Sequence, residues 1–473
     1  MARPTRTLLF AAIGFAGLLV LVAGGLLLLV HANVGKARLE AAASGALGME
    51  VSVGGRLGIG LFPGMLVTLE DVHIRNRGSD LASAKQARIE IGLLPLLKGT
   101  VQIEKMALQH ATIFIEKDRD GRFNFEQPEA AAAMLPALDW PNLSLSHGTL
   151  VYADQRSAGG FEAADCRLEM HRLRLSGGQR SNLVKDLSFT AELACGEVRN
   201  EGFTVSDLKL SAAAKNGVFD LSPVTTRIFG TLGSGSIQAD ASGAVPHYRI
   251  QYSLPQFPIE EFFKTMARQQ VAAGRMDFSA NLSMQGTGRQ MRQTVKGTVS
   301  LRGKNLTLRG SDLDGTLSRF ESSQNFNLVD VGAFFFAGPL GLVVTKGYDF
   351  ASVLQGTGSS SEIHTLVSDW KVERGVAQAQ DVAMATKQNR VALRGGLDFV
   401  NGRFDNVTMA LIDAKGCAKV RQRISGTFQN PLVEQPSLLA SLTGPARRLL
   451  QRGSELLGGR CEVFYAGSVA APR

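Results

Sequence analysis

The sequence predicts a mainly β chain behind an N-terminal transmembrane helix, with antiparallel strands and a few short helices. Three observations predict it. Leu8–Val30 reads LLFAAIGFAGLLVLVAGGLLLLV, without a charged or polar side chain. Beyond Gly48 the apolar residues alternate with period two, the signature of half-buried strands. Glycine accounts for 52 of 473 residues, and Asn-Gly and Asp-Gly pairs separate the alternating runs, as in hairpin-rich sheets.

At ~1.5 Å per residue Leu8–Val30 spans roughly 34 Å, enough for a bilayer core of about 30 Å. Its length and the poor cleavage sequence His31-Ala32-Asn33-Val34 favour an uncleaved anchor over a signal peptide. Arg3 and Arg6 precede it, so the N-terminus is expected in the cytoplasm and everything after residue 31 across the membrane. The run near Val331–Val344 is broken by Gly332, Gly338, Pro339 and Gly341 and is too short to span, so a single pass is expected.

Asn33 to Leu47 reads as a juxtamembrane helix ended by Gly45 and Gly48. The strand patterns then begin: Val51 and Val53; Leu57, Ile59 and Leu61; Val67 and Leu69; Val72 and Ile74. Between Leu69 and Val72 the alternation slips by one residue, which predicts a β-bulge at Glu70-Asp71. Further strands are read at Ala87–Ile91, Val101–Ile103 and Ile113–Ile115, with a hairpin turn at Asp120-Gly121. Glu126–Pro141, rich in alanine and proline, reads as a boundary. Short strands recur after it at roughly ten-residue spacing, a rhythm that suits a sandwich, a barrel or an extended β array. PIEEFFKTMARQQVA interrupts them as a helix whose Ile259, Phe262, Phe263 and Met266 share a face, packed into a core or offered to lipid or a partner. Longer strands follow from Met276, with a tight turn at Asn401-Gly402 and a basic helical tail before a last strand, CEVFYAGSV. The expected regions are 1–31 (cytoplasmic tip and anchor), 32–140, 141–275 (ending in the short helix) and 276–473 (with the basic tail).

The net charge of +9 is spread along the strands, without an arginine-rich block or aromatic–basic interleaving, so no nucleic acid partner is expected. Contact with anionic lipid headgroups is a softer alternative to solvated faces. The seven histidines are scattered, without H-E-x-x-H, and are not expected to bind metal. Asp118-x-Asp120-Gly has the wrong spacing for a calcium loop. Gly303-Lys304 is followed by Asn305 and is no phosphate loop, and Ser368-x-x-Lys371 lacks its companion motifs. No catalytic residue, metal or cofactor is expected. Four cysteines, Cys166, Cys195, Cys417 and Cys461, form no C-x-x-C pair; in an exported domain they suggest disulfides, with three connectivities possible.

The anchor followed by GGRLGIGLFPGMLVTLEDVHIRN resembles the opening of AsmA-type envelope proteins. KGTVSLRGKNLTLRGSDLDGTL and GCAKVRQRISGTFQNP…CEVFYAGSV resemble that family's C-terminal region. The similarity covers about the first 130 and the last 170 residues; the middle matches in texture only. It implies a bacterial inner-membrane protein with a periplasmic β-domain, active in outer-membrane biogenesis. It also implies bridge-like lipid transfer architecture: an elongated, curved antiparallel sheet whose open groove holds phospholipid acyl chains. Protein partners in the envelope are implied as well. Alternation by itself is compatible with either a closed sandwich or such a groove. On the groove reading Val67, Leu69, Ile89, Ile91, Val101, Ile103, Leu306 and Leu308 are the candidate lipid-facing residues. The alternative is a non-catalytic scaffold for envelope protein assembly. Cys417 and Cys461, both in the family-like C-terminal block and beside strand patterns, are expected to bond, with Cys166 and Cys195 as a possible second pair.

Overall fold

The computed structural model describes residues 33–47, 49–60, 65–92, 94–95, 102–120, 122–124, 138–155, 159–175, 183–200, 203–264, 272–309, 312–315, 317, 360–434, 437–438 and 463–472. The expected anchor Leu8–Val30, Val101, Met266 and Cys461 lie outside them. Among the described residues no helix is long and apolar enough to cross a membrane.

The chain is mainly β and forms two compact units, 1–224 and 225–473. Within the first unit β5 (Ile103–Lys117) pairs with β6 (Leu138–Asp154) over Lys105–Lys117.

The first unit starts with helix α1 (Asn33–Leu47) and two short edge strands, β1 (Glu50–Val53) and β2 (Leu57–Gly60). Both edge strands pair with β3 (Met65–Asn76). Glu40 and Ser44 of α1 accept the backbone N–H groups of Val53 and Val51, at 2.7 and 2.9 Å, so the helix caps β1's outer edge. The ladder continues through β4 (Ser79–Ile91), β5, β6, β7 (Gly159–Leu175), β8 (Leu187–Asn200) and β9 (Phe203–Lys215), with α2 (Leu183–Asp186) between β7 and β8. All these pairs are antiparallel except β5–β6, which is parallel. Around the Asp120-Gly121 signal the strand reverses, with Lys117 opposite Phe123 in an antiparallel bridge, and β6 lies parallel to β5. Strand β10 (Val218–Ile228) carries the boundary between the units.

The second unit runs β11 (Thr231–Asp240), β12 (His247–Pro258), α3 (Ile259–Lys264), β13 (Ala272–Gln285), α4 (Gly288–Thr294), β14 (Lys296–Leu308) and β15 (Ser361–Glu373). It then continues β16 (Val376–Thr386), β17 (Arg390–Asp398), β18 (Arg403–Ile412) and β19 (Ala418–Gly426). β11 to β19 pair antiparallel in chain order, and two short strands, β20 (Pro431–Val433) and β21 (Ser437–Leu438), finish the edge on β19.

Hairpin turns explain much of this order. Arg77-Gly78, Asn216-Gly217, Phe229-Gly230 and Arg374-Gly375 each place two successive residues at positive φ, the twist-compatible hairpin turn. At Gly375 a Cβ would lie 2.3 Å from the carbonyl oxygen of Arg292, so only glycine fits there.

Candidate functional site

In the first unit, apolar side chains form rows that run across the strands on one face. Val67, Ile89, Met106, Leu143, Met170, Ala191 and Ala212 stand directly opposite one another in sequence along β3 to β9. Beside them run Leu69, Ala87, Leu108, Leu145, Leu168, Leu193 and Leu210. A third such row is Ile74, Ala82, Ile113, Leu150, Ala163, Val198 and Val205. The other face carries Thr68, Arg88, Ala107, Ser144, Glu169, Glu192 and Ser211 in the corresponding positions. Period-two side-chain direction separates the faces.

The rows survive because each strand corrects its own slip. Asp71, His110, His147, Asp165 and Asp207 adopt φ between 49° and 57°, in the left-handed region that Asp and His tolerate better than most residues. These bulges follow one another across the sheet and bring Leu69 and Val72 into one cluster despite their odd spacing. The bulge side chains are exposed on the polar face, where the His110 and His147 rings stack with centroids 5.2 Å apart. His147 Nδ1 also lies 2.9 Å from Asp165 Oδ1. Among the described residues no group of three or more His, Cys, Asp or Glu is placed to hold a metal ion.

Between the second and third rows lies a strip of small residues, Ala84, Ala111 and Gly148, that ends in a disulfide. Cys166 and Cys195 are directly opposite on β7 and β8, bonded, and each 3% exposed, packed with Leu150, Leu193, Val198 and Leu208. The bond joins the two strands where the bulges interrupt the ladder.

Cover distinguishes the two units. Near β3, Leu39 of α1 lies against Val53, Val67, Leu69 and Ala87. Over β5 to β9, the described element outside the sheet that meets these strands is the one-turn helix α2, against β7, and Leu108, Leu168, Leu193 and Leu210 remain half-buried. The second unit is filled. Ile259, Phe262 and Phe263 of α3, with Leu313 and Leu317, close over β13 to β15 and leave Phe257, Met276 and Trp370 at most 2% exposed. Helix α3 is therefore a core-packing element.

The candidate lipid-facing residues accordingly divide. Val67, Leu69, Ile89 and Ile91 belong to the first unit's face beside α1, and Ile103 sits opposite Ile91 at its margin. Leu306 and Leu308 are core residues, 1% and 0% exposed in the same cluster as α3, and line no open surface. The middle of the open face was not singled out from sequence, although Leu145, Leu168, Leu193 and Leu210 follow the same alternation.

On the second unit's other face the C-terminal segment lies over an alanine patch. Phe464, Tyr465 and Val469 pack on Ala383, Ala385, Ala392 and Ala410. Tyr465 and Ser468 both donate to Asp381, Arg390 donates to the Val469 carbonyl at 2.9 Å, and Arg394 stands over the Phe464 ring. Burial pushes the Asp381 carboxyl up, but the donors from Ser468 and Tyr465 outweigh it and hold the group below the ordinary carboxylate range. Burial, and then the bond to Asp381, raise the Tyr465 phenol. Cys417 is disulfide-bonded and pairs through its backbone with Val463.

The profile of the AsmA family matches residues 5–179 and 135–381. No curated protein and no solved structure matches the chain. With well over half of its length matched, the chain belongs to the AsmA family.

Proposed function

We propose that this chain is a single-pass inner-membrane protein whose periplasmic first unit holds or conducts phospholipid acyl chains in support of outer-membrane biogenesis. The observation that carries the reading is the set of apolar rows continuous over β3 to β9 and uncovered over β5 to β9 by described residues. An acyl chain needs no specific polar partner; it needs an unbroken apolar strip of about its own length. Five strands at ~4.8 Å spacing give a strip of roughly 19 Å. Family membership supports an envelope role at the same coarse level. The reading assigns no catalytic residue, metal or cofactor.

The second unit supports a scaffolding part in the same protein. Its apolar face is consumed by α3 and by its aromatic residues, so it stands as a folded support rather than a lipid path. The test of the whole reading is lipid mass spectrometry of the full chain purified from membranes in a neutral detergent. Phospholipid retained above the level of an unrelated single-pass protein is expected. Retention no greater than that control leaves only the scaffold.

A further inference from the structure

The polar face of the second unit contains a hollow of about 380 Å³ that the acyl-chain reading does not use. It lies where β11, β12, β13 and β14 run side by side. The ladder places Gln238 opposite Arg249, Arg249 opposite Ser283, and Ser283 opposite Lys296. Arg249 and Lys296 are therefore two strands apart, roughly 9–10 Å at their Cα atoms. Side chains on one face stand roughly perpendicular to the sheet, so the two cationic ends rise on either side of the Ser283 hydroxyl.

The donors are available. Arg249 Nη1 donates to Gln238 Oε1 at 3.2 Å, which steadies the guanidinium and leaves further N–H groups free for a ligand. Among the described residues neither Arg249 nor Lys296 is ion-paired. Asp240, the carboxylate in the lining, is turned to its own loop and accepts the backbone N–H and hydroxyl of Ser242, at 3.0 and 2.6 Å. Thr294, the last residue of helix α4, which joins β13 to β14, also lines the hollow. The local balance is cationic, with a hydroxyl donor at its centre.

We infer that this hollow binds a phosphate-type oxyanion, held between the Arg249 guanidinium and the Lys296 ammonium above Ser283. Two oxygens on one phosphorus suit the guanidinium fork, a third suits the ammonium, and Ser283 donates from below. A phosphodiester lipid headgroup and a free phosphate share this chemistry. The inference is independent of what lies on the first unit's apolar face.

The test uses the full chain in neutral detergent at low ionic strength. Calorimetric titration with inorganic phosphate is one arm. Titration with short-chain phosphatidylglycerol, against phosphatidylcholine of the same chain length, in that detergent is the other. The variants are Arg249→Gln with Lys296→Gln, and a control pair that removes equal charge from the first unit, Arg88→Gln with Lys105→Gln. Phosphate binding weakened at least tenfold by the first pair and unchanged by the second assigns the site to free phosphate. Absent phosphate binding with phosphatidylglycerol binding lost only in the first pair assigns it to headgroups. Equal weakening by both pairs, or no binding of either probe by the wild-type chain, overturns the proposal. Unchanged circular dichroism of the first pair excludes misfolding as the cause of its loss.

Discussion

Leu168→Asp places a carboxylate in the middle of the open face, between Leu145 and Leu193. Leu168 is half-buried. In the lipid-free protein the new carboxylate therefore reaches water, and the cost is that of a partly exposed leucine, about 1–2 kcal/mol. With lipid bound the arithmetic changes. A chain with one side against the sheet gains about half of the ~0.8 kcal/mol for a fully buried CH₂, hence roughly 5–6 kcal/mol over about 14 methylenes. Covering a carboxylate with that chain costs several kcal/mol. The two magnitudes are comparable, so one aspartate removes most of the affinity while the fold persists. The assay is phospholipid per protein by mass spectrometry, paired with urea unfolding. Wild-type lipid content in a folded Leu168→Asp protein would refute the reasoning, because it would place the lipid elsewhere.

Other expectations follow from the same structure. Leu308→Ala, at a fully buried core position, should destabilise the second unit by about 2–5 kcal/mol in urea unfolding and leave lipid content unchanged. Reducing the Cys166–Cys195 bond, which closes a loop with a sequence separation of 29, should lower the first unit's stability by about 3–4 kcal/mol on the chain-entropy account, read as a shift in denaturation midpoint with dithiothreitol. Asp381 has a depressed pKa in the folded state, so its contribution is complete above the ordinary carboxylate value near ~4 and is lost as pH falls through the lower folded value. The C-terminal segment should accordingly become sensitive to pepsin only below pH ~4 in the wild type, and already at higher pH in Asp381→Asn. Non-reducing peptide mapping should recover Cys417 joined to Cys461; recovery of Cys417 with any other cysteine would reject that pairing.

Much of the first unit's face was legible in the sequence, for a local reason. Period two fixes which residues share a face, and a slip such as Leu69 to Val72 announces a bulge when Asp or His stands in it. The same slip separates Leu108 from Ala111 around His110, and Leu145 from Gly148 around His147. What was not legible depends on through-space events. Leu308 and Leu168 alternate alike, yet one is core and one is on the open face, because only the second unit folds α3 back over its strands. The reversal read at Asp120-Gly121 is present, with Lys117 opposite Phe123, but a turn residue does not announce the next long neighbour, and the parallel pairing of β5 with β6 could not be read from it. The opposition of Cys166 to Cys195 likewise required the β7–β8 register, which no spacing of cysteines reveals. The small bulge residues were readable one at a time; their alignment into rows was a property of the assembled sheet.

The central claim is that lipid lies on one face of the first unit. Its most direct test is site-specific photocrosslinking in living cells, with a benzophenone amino acid replacing Leu108, Leu168 or Leu193 on the apolar face, and Gln109, Glu169 or Glu192 on the polar face. The account predicts phospholipid adducts from the first three positions and none from the second three. Adducts from both faces alike, or from neither, would contradict it.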